Sequence, residues 1–255
     1  MPPRVILYEY PFNERVRTCL RLERLLDRLH ALVAREDAID HQFAIYTLFE
    51  LLEVTSRSDL KAELLRELER QRHMLQAFQG NPAVDEAALA PMLRQAENTY
   101  RDLQQLHGRI GGNLLEDELL NMVRSRAHIP GGTCEFDLPA YHAWLHSPSA
   151  QRQRTLQQWC QPLQSVYDAV QLLLTMLRNG GHTQKVHAQS GVFQQSLPNN
   201  RSYQLLQLRL DETRQVVPEI SGNHLLISVR FMREDSTRKL QPHAIDLPFE
   251  LTLCA

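Results

Sequence analysis

The stretch HLLISVRFM, residues 224–232, decides the fold class. Leu225, Ile227, Val229 and Phe231 fall on one face of an extended chain, with Ser228 and Arg230 on the other, so the period is two and the segment is a strand. AIDLPFELTL (244–253) repeats the pattern, with Ile245, Leu247, Phe249, Leu251 and Leu253 opposite Asp246, Glu250 and Thr252. Pro248 lies inside that run and cannot donate to a ladder, which places this strand at a sheet edge. Further upstream, KVHAQSGVFQQSL (185–197) and YQLLQLRL (203–210) flank Pro198, Asn199 and Asn200, a spacing that predicts a hairpin.

Before Gly180 the period changes to that of a helix. RVILYEYPFNE (4–14) opens with a short β-prone run, after which helices are expected at about 14–34, 37–54, 59–79, 85–107, 114–126, 138–146 and 150–178. In the third of these Leu60, Leu64, Leu65 and Leu68 form a core stripe, with Ser58 as its cap. The expected class is α+β: a helical domain over residues 1–180, with its short N-terminal strand, then a small antiparallel β domain over 181–255.

Composition narrows the function. A chain of 255 residues with 43% hydrophobic and 23% charged residues is an ordinary globular protein. Its net charge of −2 gives no bulk attraction to nucleic acid or anionic membrane, although a local basic patch is compatible with it. No apolar run approaches a membrane span and MPPRVILYEY lacks a signal-peptide layout, so the expected compartment is the cytoplasm. Four unclustered cysteines, at 19, 134, 160 and 254, are expected to be reduced thiols.

The most informative helix is NERVRTCLRLERLLDRLHALVA (13–34). At about 100° per residue, Arg17, Arg21, Arg24 and Arg28 share a stripe roughly 60° wide. Leu22, Leu25, Leu26, Leu29, Leu32 and Val33 occupy the opposite side, and Glu23 and Asp27 lie in a third sector. Most of the arginine stripe is therefore expected to lack an acidic partner on its own face. Ordinary pairing with neighbouring helices is the competing expectation. Arg57 stands just before a helix start, where backbone N–H groups favour anions. Arg124 and Arg126 precede a glycine turn and His142 follows it; brought near Arg17 and Arg21, they would line an anion-accepting groove.

That turn lies in IPGGTCEFDLPAYHAWLH (129–146), where Cys134, His142 and His146 raise the question of a metal or a nucleophile. His142 and His146 share a helical face, but Ala143 stands where an HExxH helix has its glutamate, and no second cysteine lies two to four residues from Cys134. Pro130, Gly131 and Gly132 predict a tight connector, with Asp137 as N-cap and Pro139 in the first turn of the next helix. Dinucleotide, P-loop and nucleophile-elbow motifs are missing, and Glu67 and Glu69 sit among compensating arginines. A binding module fits these features better than a metal-dependent or cysteine hydrolase built on Cys134, His142 and His146. A nucleic-acid-binding helical module built on the arginine stripe is disfavoured by the acidic balance and the lack of interleaved aromatics.

Four long segments, YEYPFNERVRTCLRLERL (8–25), SRSDLKAELLRELERQ (56–71), IPGGTCEFDLPAYHAWL (129–145) and PEISGNHLLISVRFM (218–232), resemble the ZapD family of bacterial cell-division proteins, in unbroken order along the chain. The resemblance implies a helical part followed by a β part, a homodimer, and no enzymatic activity or cofactor. It implies binding to the C-terminal tail of FtsZ, the tubulin-like GTPase of the division ring, and crosslinking of its protofilaments into bundles at midcell. Residues that it ties to the tail are Arg17, Arg21, Arg57, His142 and Arg230. Arg24, Arg124 and Arg126 join them as basic neighbours. Two positions depart from the pattern, since Leu115 and Leu226 stand where the family can carry a basic residue; Arg124, Arg126 or His224 are the candidates to compensate.

Overall fold

After one N-terminal strand, helices fill the first part of the chain and antiparallel strands the rest, so the class is α+β. The computed structural model describes residues 4–56, 59–198 and 200–255. Residues Cys19–Leu173 form one compact unit, and the chain up to Thr18 forms another with Leu174–Ala255.

The helical unit takes in most of α1 (Glu14–Val33), then α2 (Ala38–Thr55), α3 (Leu60–Gln76), α4 (Glu86–Gln105), α5 (Glu118–Arg126), α6 (Pro139–Leu145), α7 (Ser149–Cys160) and the first part of α8 (Gln164–Asn179). Leu22, Leu26 and Leu29 of α1 are buried, as are Leu48 and Leu51 of α2 and Leu64 and Leu68 of α3. Asp37 caps α2 by accepting from Ile39 N at 2.7 Å, and Asp85 caps α4 by accepting from Ala87 N at 2.9 Å. At the other end of α4, Lys61 Nζ donates to the carbonyl oxygens of Gln104 and Leu106, so a cation sits where the helix dipole favours one.

Several local expectations change. The helix expected at 150–178 is interrupted by a 3-10 turn, Gln161–Leu163, because Pro162 has no N–H to give to the preceding turn. The one expected at 114–126 is split at Asp117, which is extended (φ −72°, ψ 120°). Its carboxylate caps Leu120 N and accepts the indole N–H of Trp159, each at 2.9 Å. Asp137 is not the cap of α6. The residue before a proline is pushed out of the helical region, so Leu138, with Pro139 at the first helical position, takes that place. Ser58 lies outside the described residues; α3 starts from Asp59, which makes no side-chain cap bond.

In the other unit β1 (Val5–Pro11), β2 (His182–Ala188), β4 (Leu205–Asp211) and β8 (Leu247–Cys254) form a sheet of order β1-β4-β8-β2. A second sheet has the order β3-β6-β5, from β3 (Val192–Ser196), β6 (Leu226–Glu234) and β5 (Val217–Gly222); β7 (Leu240–Pro242) also pairs with β6. Every ladder is antiparallel. The alternation seen in the sequence supplies the core between the sheets: Leu206, Leu208 and Leu210 of β4 and Leu247, Phe249 and Leu251 of β8 meet Ile227, Val229 and Phe231 of β6. Phe249 stands edge-on to Phe231 at 5.2 Å and to Phe193 at 5.3 Å, which joins the two sheets through one ring. Leu225, expected on the inner face, lies just before β6 and is exposed.

Three strand expectations are corrected. The N-terminal strand, grouped with the helices by its position in the sequence, pairs with β4, with Val5 opposite Asp211 and Pro11 opposite Leu205. The segments flanking residues 198–200 do not form a hairpin, since β3 pairs with β6 whereas β4 pairs with β1 and β8. The tight turn lies instead at Ser190-Gly191, inside the first of those segments: both have positive φ, 48° and 78°, and Gln189 and Val192 exchange backbone hydrogen bonds at 2.9 Å. Finally, β8 is an interior strand. Pro248 is tolerated because the β4 ladder stops at Glu250, leaving only β2 beside the proline.

Candidate functional site

The arginine stripe of α1 faces outward along its length. Arg21, Arg24 and Arg28 are exposed and Arg17 is half-buried, while the leucines of the opposite side enter the core. The stripe is more neutralised than its spacing suggested. Arg17 Nε stands 3.3 Å from Glu14 Oε2, one helical turn earlier, and Arg28 meets Glu50 of α2. Glu14 shares the stripe's sector at a spacing of three, and a neighbouring helix supplies Glu50, so both ordinary routes to pairing operate. Among the described residues no ion pair involves Arg24.

The remaining candidates are spread over other elements. Arg124 and Arg126 are exposed in the last turn of α5, where the helix dipole favours cations. His142 is exposed on α6, its ring 4.2 Å from that of His146, and its carbonyl oxygen lies 2.9 Å from His146 Nδ1. Arg57 lies outside the described residues. Arg230 projects from the solvent side of β6, as the alternation required, and Nη2 donates to Glu219 Oε2 across the β5 ladder at 2.8 Å. Leu115 and Leu226 are both exposed, and His224 borders a cavity of about 480 Å³ with Arg201 and Leu225.

The Ile129–His146 segment is a connector as far as Leu138, followed by α6. Gly131 adopts φ 70°, and a Cβ on Gly132 would come within 2.8 Å of Arg126 O, so both glycines are needed by the turn. Thr133 Oγ1 lies 3.5 Å from the hydroxyl of Tyr46 on α2. The Tyr141 phenol, just before His142, is held above its ordinary pKa, first by burial and then by the charge that Tyr46 would carry. Cys134, His142 and His146 do not form a ligand set; among the described residues no group of three or more His, Cys, Asp or Glu side chains is placed to hold a metal ion. The cysteines are free thiols, and burial pushes Cys160 up to about 12 and Cys254 up to about 11, far from thiolate reactivity. Glu67 and Glu69 pair with Arg70 and Arg72 in their own helix.

A larger cavity, about 770 Å³, lies on the outer face of the first sheet, where Val5, Leu7, Lys185, Arg209 and Glu250 are among its walls. None of the candidate tail-binding residues lines it.

Against known families, the ZapD family model, described as a cell division protein, matches residues 20–230. The chain belongs to the ZapD family. A role in cell division follows from that membership. The ZapD match begins inside the arginine stripe, after Arg17, and ends at Arg230, so it spans the other basic candidates. No helix among the described residues is long and apolar enough to cross a membrane. Two features of this ZapD-family chain escaped sequence reasoning. Ile39 and Phe43, on the outer side of α2, are 63% and 54% exposed, and Arg152 of α7 is buried against His41 of α2. The first had a signal: α2 carries apolar residues on its outer as well as its core-facing side.

Proposed function

We propose that this protein is a non-enzymatic division factor that binds the C-terminal tail of FtsZ and, as a homodimer, crosslinks FtsZ protofilaments into bundles that support the division ring. It acts in the cytoplasm at midcell and needs no cofactor, nucleic acid or membrane. The observation that carries this reading is the outward-facing arginine stripe of α1 in a chain of the ZapD family. Arg17, Arg21 and Arg24 are its principal contacts, with Arg57, Arg124, Arg126, His142 and Arg230 contributing from other elements. Arginine suits the task because its planar fork holds a carboxylate through two hydrogen bonds. An unstructured tail bearing carboxylates and apolar side chains loses entropy as it orders, so each contact is of modest strength.

The test is titration of a labelled FtsZ tail peptide. Arg21→Glu with Arg24→Glu is expected to weaken binding about tenfold or more, since each reversal places repulsion where a carboxylate must land. Folding stability should change by no more than about 0.5 kcal/mol per site, as is usual for exposed positions. Parent binding should also fall as salt shortens the Debye length below about 8 Å. Unchanged affinity in the double variant, or co-sedimentation with FtsZ polymers that does not depend on the tail, would overturn the reading.

A further inference from the structure

The outer side of α2 repeats the spacing of the arginine stripe with different chemistry. Arg17, Arg21, Arg24 and Arg28 on α1 correspond in spacing to Ile39, Phe43, Tyr46 and Glu50 on α2, so each set shares a sector roughly 60° wide on its helix. The two stripes meet where Arg28 pairs with Glu50. Phe43 stands about 10 Å along the α2 axis from Glu50, and its ring meets that of Tyr46 edge-on at 6.2 Å. Tyr46 in turn reaches Thr133 in the glycine connector. Ile39 and Phe43 therefore form an exposed apolar pair on the same side of α2 as Tyr46, which reaches the connector leading to His142, and Glu50, which meets an α1 arginine.

We infer that Ile39 and Phe43 receive the apolar side chains of the acidic segment whose carboxylates meet the α1 arginines, an inference that rests on the function proposed above. The chemistry favours this occupant over a second copy of the chain. Two exposed side chains bury a few hundred Å² at most, well short of the roughly 800 Å² per partner of a stable protein–protein interface. An extended peptide advances about 3.4 Å per residue, so about three residues carry a segment anchored at Phe43 across the roughly 10 Å to the Arg28–Glu50 pair, and its carboxylates then meet Arg24 and Arg21 rather than the neutralised Arg28. Apolar anchors in an acidic strand, set beside arginines, give the segment a register that charge alone does not.

The experiment measures anisotropy of the labelled tail peptide at low and high salt against the parent, Arg21→Glu with Arg24→Glu, and Ile39→Ser with Phe43→Ser, with thermal melting and subunit state recorded for each. The serine variant is expected to bind about tenfold more weakly at both salt concentrations, because burial of apolar surface is not screened. The arginine variant should lose most at low salt. A peptide with its apolar residues replaced by serine should bind the parent about tenfold more weakly and bind the Ile39→Ser, Phe43→Ser protein no more weakly than the unaltered peptide does. That non-additivity identifies the contact and does not depend on the variant's stability. Full binding by the serine variant beside loss in the arginine variant would overturn this inference and leave the proposed function standing. A parent that fails to bind the peptide would overturn both, and dissociation of the dimer by the serine changes would assign the pair to the subunit interface instead.

Discussion

Arg152 is a cation enclosed in the helical unit, only 6% exposed, with no carboxylate against it among the described residues. It donates to the carbonyl oxygens of Glu36, Leu145 and Ser147, and through Nε to His41 Nδ1 at 2.9 Å. A guanidinium can only donate, so His41 Nδ1 must be an acceptor and the ring's proton sits on Nε2, facing Arg35 O at 2.7 Å. The ring is neutral. Burial most of all, opposed by the Arg35 carbonyl and reinforced by the Arg152 charge, holds its pKa below the ordinary value of 6.5. The unfolded chain therefore takes up a proton on His41 that the folded chain refuses. That contribution to stability is complete above about pH 6.5 and declines as the pH falls from there toward the lower folded value. Urea unfolding at pH 7.5 and 5.5 should show the parent losing more stability on acidification than His41→Gln; equal losses would place the acid-sensitive group elsewhere. Arg152→Ala should cost about 3 kcal/mol at pH 7.5, because it leaves several buried acceptors without a donor, and less at pH 5.5, because it also removes a charge that opposes protonation of His41.

At the scale of the element, the Ser190-Gly191 turn sets where one sheet ends and the other begins. A Cβ on Gly191 would lie 2.1 Å from His243 O, in addition to the strain of φ 78°. Gly191→Ala should thus destabilise the β unit by about 2–3 kcal/mol; a denaturant midpoint unchanged from the parent would show that the 243–245 segment yields instead. The same turn explains what the sequence concealed. Alternation located β6 and β8, although it holds only as far as Phe231 and Leu251: Met232, Thr252 and Cys254 on the other face are buried as well. It did not reveal partners, since the same period serves whichever strand lies alongside, and Asn199-Asn200 looked more like a hairpin than Ser190-Gly191 did. Most helix boundaries were legible from caps and leucine spacing. The breaks at Asp117 and Pro162 were not, because the apolar pattern runs through both. For the candidate surface, the 3.6-residue period correctly turned the α1 arginines outward, yet it was blind to Glu50, which lies on another helix.

At the scale of the molecule, the proposed function combines two separable properties, binding a tail and bundling filaments. One chain with one tail site cannot join two filaments, whereas a two-fold dimer presents two identical sites. Repeated tails along a filament raise the effective concentration, so modest single-site affinities still hold a bundle together. A folded variant made monomeric should bind isolated tail peptide within about threefold of the parent, by the additivity of distant sites, and fail to bundle FtsZ in sedimentation assays. Bundling by a monomer verified under assay conditions would require a second FtsZ-binding surface on each chain.

The pairing of β1 with β4 also bears on how the chain comes off the ribosome. Val5 finds its ladder partner in Asp211, so β1 must wait for a strand made about 200 residues later. At about 5–20 residues per second, that interval is roughly 10–40 seconds. All of Cys19–Leu173 is synthesised within it, long enough for its helices to form and pack while β1, with Val5, Ile6 and Leu7, is still without its neighbour. An apolar strand left open for that long is a target for chaperones and for the same strand on a neighbouring nascent chain, which makes Val5–Pro11 a vulnerable segment in the protein's biogenesis.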